Sequence, residues 1–87
     1  MEYFVDFEGV SGKEEIHERL SSALPLPSHY GRNLDALYDA LTEAHEKWDI
    51  VFLHWDDAVR ASGDYMDALW NVCNDAAEEN DTLTVRR

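Results

Sequence analysis

Residues 49–55 read "DIVFLHW", and the run from Ile50 to Leu53 decides the fold. Four consecutive apolar residues, two of them β-branched, have strand length, and their near-continuity suits a strand covered on both faces. That predicts the central strand of a sheet. Toward the N-terminus, "YFVDF" at Tyr3–Phe7 is a β-branched and aromatic run broken by Asp6 and followed by the turn residues "EGVSG", which reads as an edge strand. Toward the C-terminus, Thr82–Val85 reads as a third strand.

Helical spacing fills the intervals. In "KEEIHERLSSAL" (Lys13–Leu24), Ile16, Leu20, Ala23 and Leu24 recur at helical spacing, and Ser11 three residues before Glu14 predicts a capping box. Pro25 and Pro27 stop this helix, since they lack amide donors and bias Leu24 and Leu26 toward extended backbone. Asn33 is the expected N-cap of a second helix that fades near Trp48. After Asp56 a short helical turn is expected, and then a longer helix capped by Asp64, with Met66, Leu69, Trp70, Cys73 and Ala77 on one face. Strand, helix, helix, strand, short helix, helix, strand is an order that right-handed helical crossovers between parallel strands satisfy. The expectation is an α/β fold in a single domain, residues 1–87, with a small sheet covered by helices.

Composition bounds the partners. A chain of 87 residues buries roughly 60% of its unfolded surface, enough for one core. Hydrophobic content of 45% and aromatic content of 11% exceed those of a disordered acidic tail. Nineteen Asp and Glu against seven Lys and Arg give a net charge of -12, which disfavours direct binding of nucleic acid or anionic lipid and favours basic partners. Halophilic adaptation is the competing source of the excess. The single cysteine, Cys73, excludes an internal disulfide and sits in an apolar helical setting that reads as a buried thiol. No export signal or run approaching ~20 apolar residues is visible, so a cytoplasmic protein is expected.

Within "SHYGRNLDALYDALTEAHE" (Ser28–Glu46), the carboxylates of Asp35, Asp39, Glu43 and Glu46 fall within an arc of about 80° on a helix, opposite Leu34, Leu37 and Leu41. Like charges four apart cost a helix a few tenths of a kcal/mol per pair, so the row is mildly unfavourable in isolation and raises the question of a partner outside the helix. Three chemistries compete. Asp35 and Asp39 as acid and base of a hydrolase lack the pocket that such a short chain has little room to build. His17, His29, His45 and His54 match no metal-ligand spacing and read as scattered structural or solvated histidines, and no metal or cofactor is expected. No glycine-rich phosphate loop is present. Recognition fits better: His29 and Tyr30 precede the acidic helix, Tyr38 borders its leucine face, and carboxylates pair bidentately with arginine. An ordinary solvated helix face is the bland alternative.

The run "YGRNLDALYDALT" within "LPLPSHYGRNLDALYDALTE" resembles the barstar family of intracellular ribonuclease inhibitors. By length and element order the resemblance covers nearly the whole chain, including "FVDFEGV" at its start, with motif-level similarity confined to the second helix and its loop. It implies a three-stranded parallel sheet in the order one, two, three, and a non-enzymatic role. It also implies that loop and helix plug the active-site cleft of a secreted microbial guanyl-preferring ribonuclease such as barnase, with carboxylates in place of RNA phosphates. Carried over by position, His29, Tyr30 and Gly31 are loop contacts, with Asn33 opening the helix. Asp35 falls beside the catalytic groups, Asp39 is the deepest anchor, and Tyr38, Thr42, Glu43 and Glu46 extend the contact. Asp75 adds a peripheral charge from the last helix.

Several positions depart from the family's best-known inhibitor. His29 and Tyr38 replace a tyrosine and a tryptophan, Arg32 replaces an acid, Asp75 a glutamate and Ala40 a cysteine. Arg32 either repels a basic rim or meets an acidic residue on a different nuclease, which bears on target choice. His29 packed on a catalytic group makes affinity vary between about pH 5 and 8. The alternative function is an acidic interaction or immunity module on the same fold for a different basic nuclease or toxin.

Overall fold

A computed structural model describes residues 1–87. Its elements are β1 (Glu2–Asp6), α1 (Lys13–Ala23), α2 (Leu34–Glu43), β2 (Trp48–Leu53), α3 (Trp55–Glu79) and β3 (Leu83–Arg86). β2 lies between β1 and β3, and both pairings are parallel, so the central position of Ile50–Leu53 and the edge position of the first strand hold. The register pairs Tyr3 with Ile50, Val5 with Phe52, Trp48 with Leu83 and Ile50 with Val85. Side chains alternate along each strand, so these residues share one face. That face joins Ile16 and Leu20 of α1, Leu37 and Leu41 of α2, and Met66, Leu69 and Cys73 of α3 in one core cluster. Leu37 and Leu41 are fully buried, each contributing about 1.5–3 kcal/mol.

The other face corrects the expectation that β2 is covered on both sides. Phe4, Val51 and Leu53 point there, and Phe4 remains 53% exposed. Polar side chains shield this face instead. Thr84 donates to Asp49 at 2.6 Å, and Arg86 reaches from β3 across β2 to Glu2 on β1 at 2.9 Å.

The helices also differ from expectation in detail. α1 takes Gly12 as its N-cap, which moves the box by one residue: Glu15, not Glu14, accepts from the Ser11 amide at 2.8 Å and from its hydroxyl. α2 ends at Glu43 rather than near Trp48, because Ala44 turns extended and Asn80, from the far end of α3, donates to the carbonyls of Leu41 and Ala44 at 3.0 Å each. The short and long helices expected after Asp56 are both present: α3, from Trp55 to Glu79, is two helices joined across a kink at Ser62 (φ -161, ψ 74). Asp64 therefore lies inside the first turn after the kink and does not cap it.

Candidate partner-binding surface

Burying Leu37 and Leu41 turns Asp35, Asp39 and Glu43 to solvent. Asn33 fixes where this helix starts: its Oδ1 accepts from the Ala36 amide at 2.8 Å, and its Nδ2 donates to the Gly31 carbonyl at 3.2 Å. A Cβ on Gly31 would stand 3.2 Å from Asn33 Nδ2 and 3.4 Å from Ala36 Cβ, so the glycine leaves room for the cap. The left-handed residue of the loop is its neighbour, Arg32, at φ 54. For a residue with a Cβ that conformation costs about 1–2 kcal/mol.

Tyr30 is tied inward. Its hydroxyl lies 2.6 Å from His17 Nδ1, and His17 Nε2 lies 2.5 Å from the Tyr65 hydroxyl of α3. His17 is 1% exposed, and its neutral ring has one donor and one acceptor nitrogen to satisfy these two hydroxyls. Burial, with Arg32 nearby, holds the imidazole pKa below its ordinary value and so favours that neutral form. Burial likewise pushes the Tyr30 hydroxyl up, with Tyr65 and Cys73 adding to the shift, and raises Tyr65. The Tyr30 amide donates to the Pro27 carbonyl at 3.0 Å. The loop is thus pinned to α1 and α3 from within.

Of the residues expected in a binding site, His29, Tyr30, Gly31, Asp39 and Glu43 line one hollow of about 210 Å³, completed by Pro27, Ala36 and Ala40. Asp35 is exposed one helical turn before Asp39. Tyr38 is half-buried, and the Thr42 hydroxyl donates to the carbonyls of Tyr38 and Asp39 at 2.9 and 3.2 Å, so it is already engaged by its own helix. Glu46 is not in the helical row, and His45 is not helical either, because both follow the end of α2. Glu46 instead meets Glu43 in an adjoining groove of about 460 Å³ that runs between Pro25, Pro27 and Trp48. Asp75 is exposed on α3 and lines neither depression.

The molecule's ion pairs join His54 with Asp6 and Glu8, Arg60 with Asp57, and Arg86 with Glu2. None involves Asp35, Asp39, Glu43 or Glu46, so their charge faces outward without internal neutralisation. No three His, Cys, Asp or Glu side chains converge as a metal cage. Among the residues that hold loop and helix in place, the sequence marks His17 only as one of several structural or solvated histidines and does not single out Tyr65 or Asn80. A histidine beside Ile16 on the inward stripe of α1 is the one local signal for this network, since its partners lie 13 and 48 residues away.

These features define a small acidic α/β module whose pinned aromatic loop and unneutralised helix face suit a cationic partner. The chain matches the model of the family described as Barstar (barnase inhibitor) over residues 1–86, and it belongs to that family. It is also 36% identical over 75 residues to a Bacillus subtilis (strain 168) protein named "Putative ribonuclease inhibitor YrdF", a similarity covering 85% of this chain and 79% of that protein.

Proposed function

We propose that this chain is a stoichiometric, non-enzymatic inhibitor that occludes the basic active-site cleft of a secreted microbial guanyl-preferring ribonuclease, and that it acts in the cytoplasm of the producing cell. The observation that carries this reading is the hollow in which Tyr30 and His29 stand beside the free carboxylates of Asp39 and Glu43. In a cleft made for RNA, Asp39 and Asp35 take the places of phosphates against Arg and Lys, and charge-assisted bonds to carboxylates supply both strength and orientation. Tyr30 and Tyr38 add contact area at small rotamer cost, because their rings are partly held by the fold. Glu43 and Glu46 widen the negative field. Asp75 contributes to that field from the periphery.

The test is a titration of ribonuclease activity with wild-type protein and Asp39→Ala at low and moderate salt. Full inhibition near one equivalent is expected, weakened more than about thirtyfold in the variant, the 2 kcal/mol that marks a hot spot. Association should slow as salt rises, because screening shortens the reach of the acidic field. If several guanyl-preferring ribonucleases stay active with excess protein, this target class is wrong.

A further inference from the structure

On the other flank of the Gly31–Asn33 loop lies a notch of about 510 Å³ with the opposite sign of charge. Lys13 and Arg32 stand at its walls with Asn33, and His17 and Tyr65 line it from within. Glu14 is its only carboxylate. Neither cation belongs to any of the molecule's ion pairs, although acidic residues outnumber basic ones nineteen to seven. Lys13 is instead held over the Tyr65 ring, with its Nζ 4.9 Å from the centroid. Arg32 occupies a left-handed backbone position that glycine would accept without strain, yet the adjacent glycine is at 31. Two cations outside any ion pair thus line one notch whose floor is fixed by the Tyr30–His17–Tyr65 network.

We infer that this notch is a second subsite of the binding surface, and that it receives a carboxylate side chain at the rim of the nuclease cleft. The inference rests on the inhibitor reading above. A polyanion is a poor occupant, because the net charge of -12 repels it, whereas a single carboxylate carried by a basic protein arrives with the attraction of the acidic face. Opposite charges on the two flanks of one loop fix the orientation of the partner and reject nucleases with a cationic rim at that point. Arg32 and Lys13 thereby set specificity, while Asp39 supplies the anchor.

The experiment measures binding of wild-type protein, Arg32→Gly, Lys13→Ala and Asp39→Ala to a panel of guanyl-preferring ribonucleases that includes barnase. Each acidic residue at the cleft rim of a bound nuclease is then changed to its amide. Arg32→Gly relieves the backbone strain, so its melting temperature should not fall, and misfolding cannot explain lost affinity. The expected result is at least about tenfold weaker binding for Arg32→Gly and Lys13→Ala, with the loss largely abolished when one particular rim carboxylate of the nuclease is neutralised. Unchanged affinity of both variants alongside a clear loss in Asp39→Ala refutes the subsite and leaves the inhibitor standing. Failure of the wild-type protein to bind any member of the panel, or no effect of Asp39→Ala, refutes both.

Discussion

Replacing Tyr30 with Phe removes one hydroxyl and tests how the binding loop is held. The change breaks the 2.6 Å contact with His17 Nδ1 and leaves a ring nitrogen of a 1% exposed side chain without a partner. A lost hydrogen bond costs about 1 kcal/mol net, and an unsatisfied buried polar atom adds about 1–3 kcal/mol. The expected total is about 2–4 kcal/mol, which in a domain of this size lowers the melting temperature by at least about 8 °C. Tyr65→Phe should cost a similar amount through the other ring nitrogen. Combining both changes with His17→Leu leaves no orphaned polar atom, so the triple variant should lose clearly less than the sum of the three single losses. Thermal unfolding followed by circular dichroism near pH 7.5 provides the readout. A Tyr30→Phe protein melting within about 2 °C of wild type, or a triple variant no better than additive, would refute the network as a stabilising anchor.

Asn80→Ala removes donors to the Leu41 and Ala44 carbonyls and an acceptor for the Thr82 amide and hydroxyl, so urea unfolding should register a loss of about 2–3 kcal/mol. A loss under about 0.5 kcal/mol would mean that α2 ends at Glu43 without this clamp. The two buried-network and strand-end histidines respond to pH with opposite sign. Its bond to Asp6 raises the pKa of His54, so the stability gained from that pair is full below about pH 6.5 and is lost as pH rises through the folded value. His17, held low by burial, retains its contribution above about pH 6.5 and loses it as pH falls through its lowered value. Nuclear magnetic resonance titration should therefore find His17 protonating at lower pH than His54, and the stability difference between wild type and His54→Gln should shrink from pH 6 to pH 9. The reverse order of protonation would overturn both assignments.

The sequence by itself determined the element order, the central strand, the proline stop after α1 and the Asn33 cap, because each is written in local periodicity or in backbone chemistry. It also determined that Asp35, Asp39 and Glu43 share one face, since three leucines fix the opposite face at helical spacing. Glu46 left that row because the end of α2 is set by Asn80, a residue at the far end of α3 with no local signature. The open side of β2 was partly legible in Glu2, Asp6, Thr84 and Arg86, whose polar side chains share its register, but the apolar run of β2 alone pointed to full burial. Tertiary structure alone decided that Tyr30 turns its hydroxyl inward to His17, that the left-handed position falls on Arg32 instead of Gly31, and that Lys13 comes to stand in the same notch as Arg32. The physical reason is common to all three. Satisfying buried polar atoms and placing unpaired charges depend on residues brought together from three separate elements, and neither periodicity nor propensity carries that information.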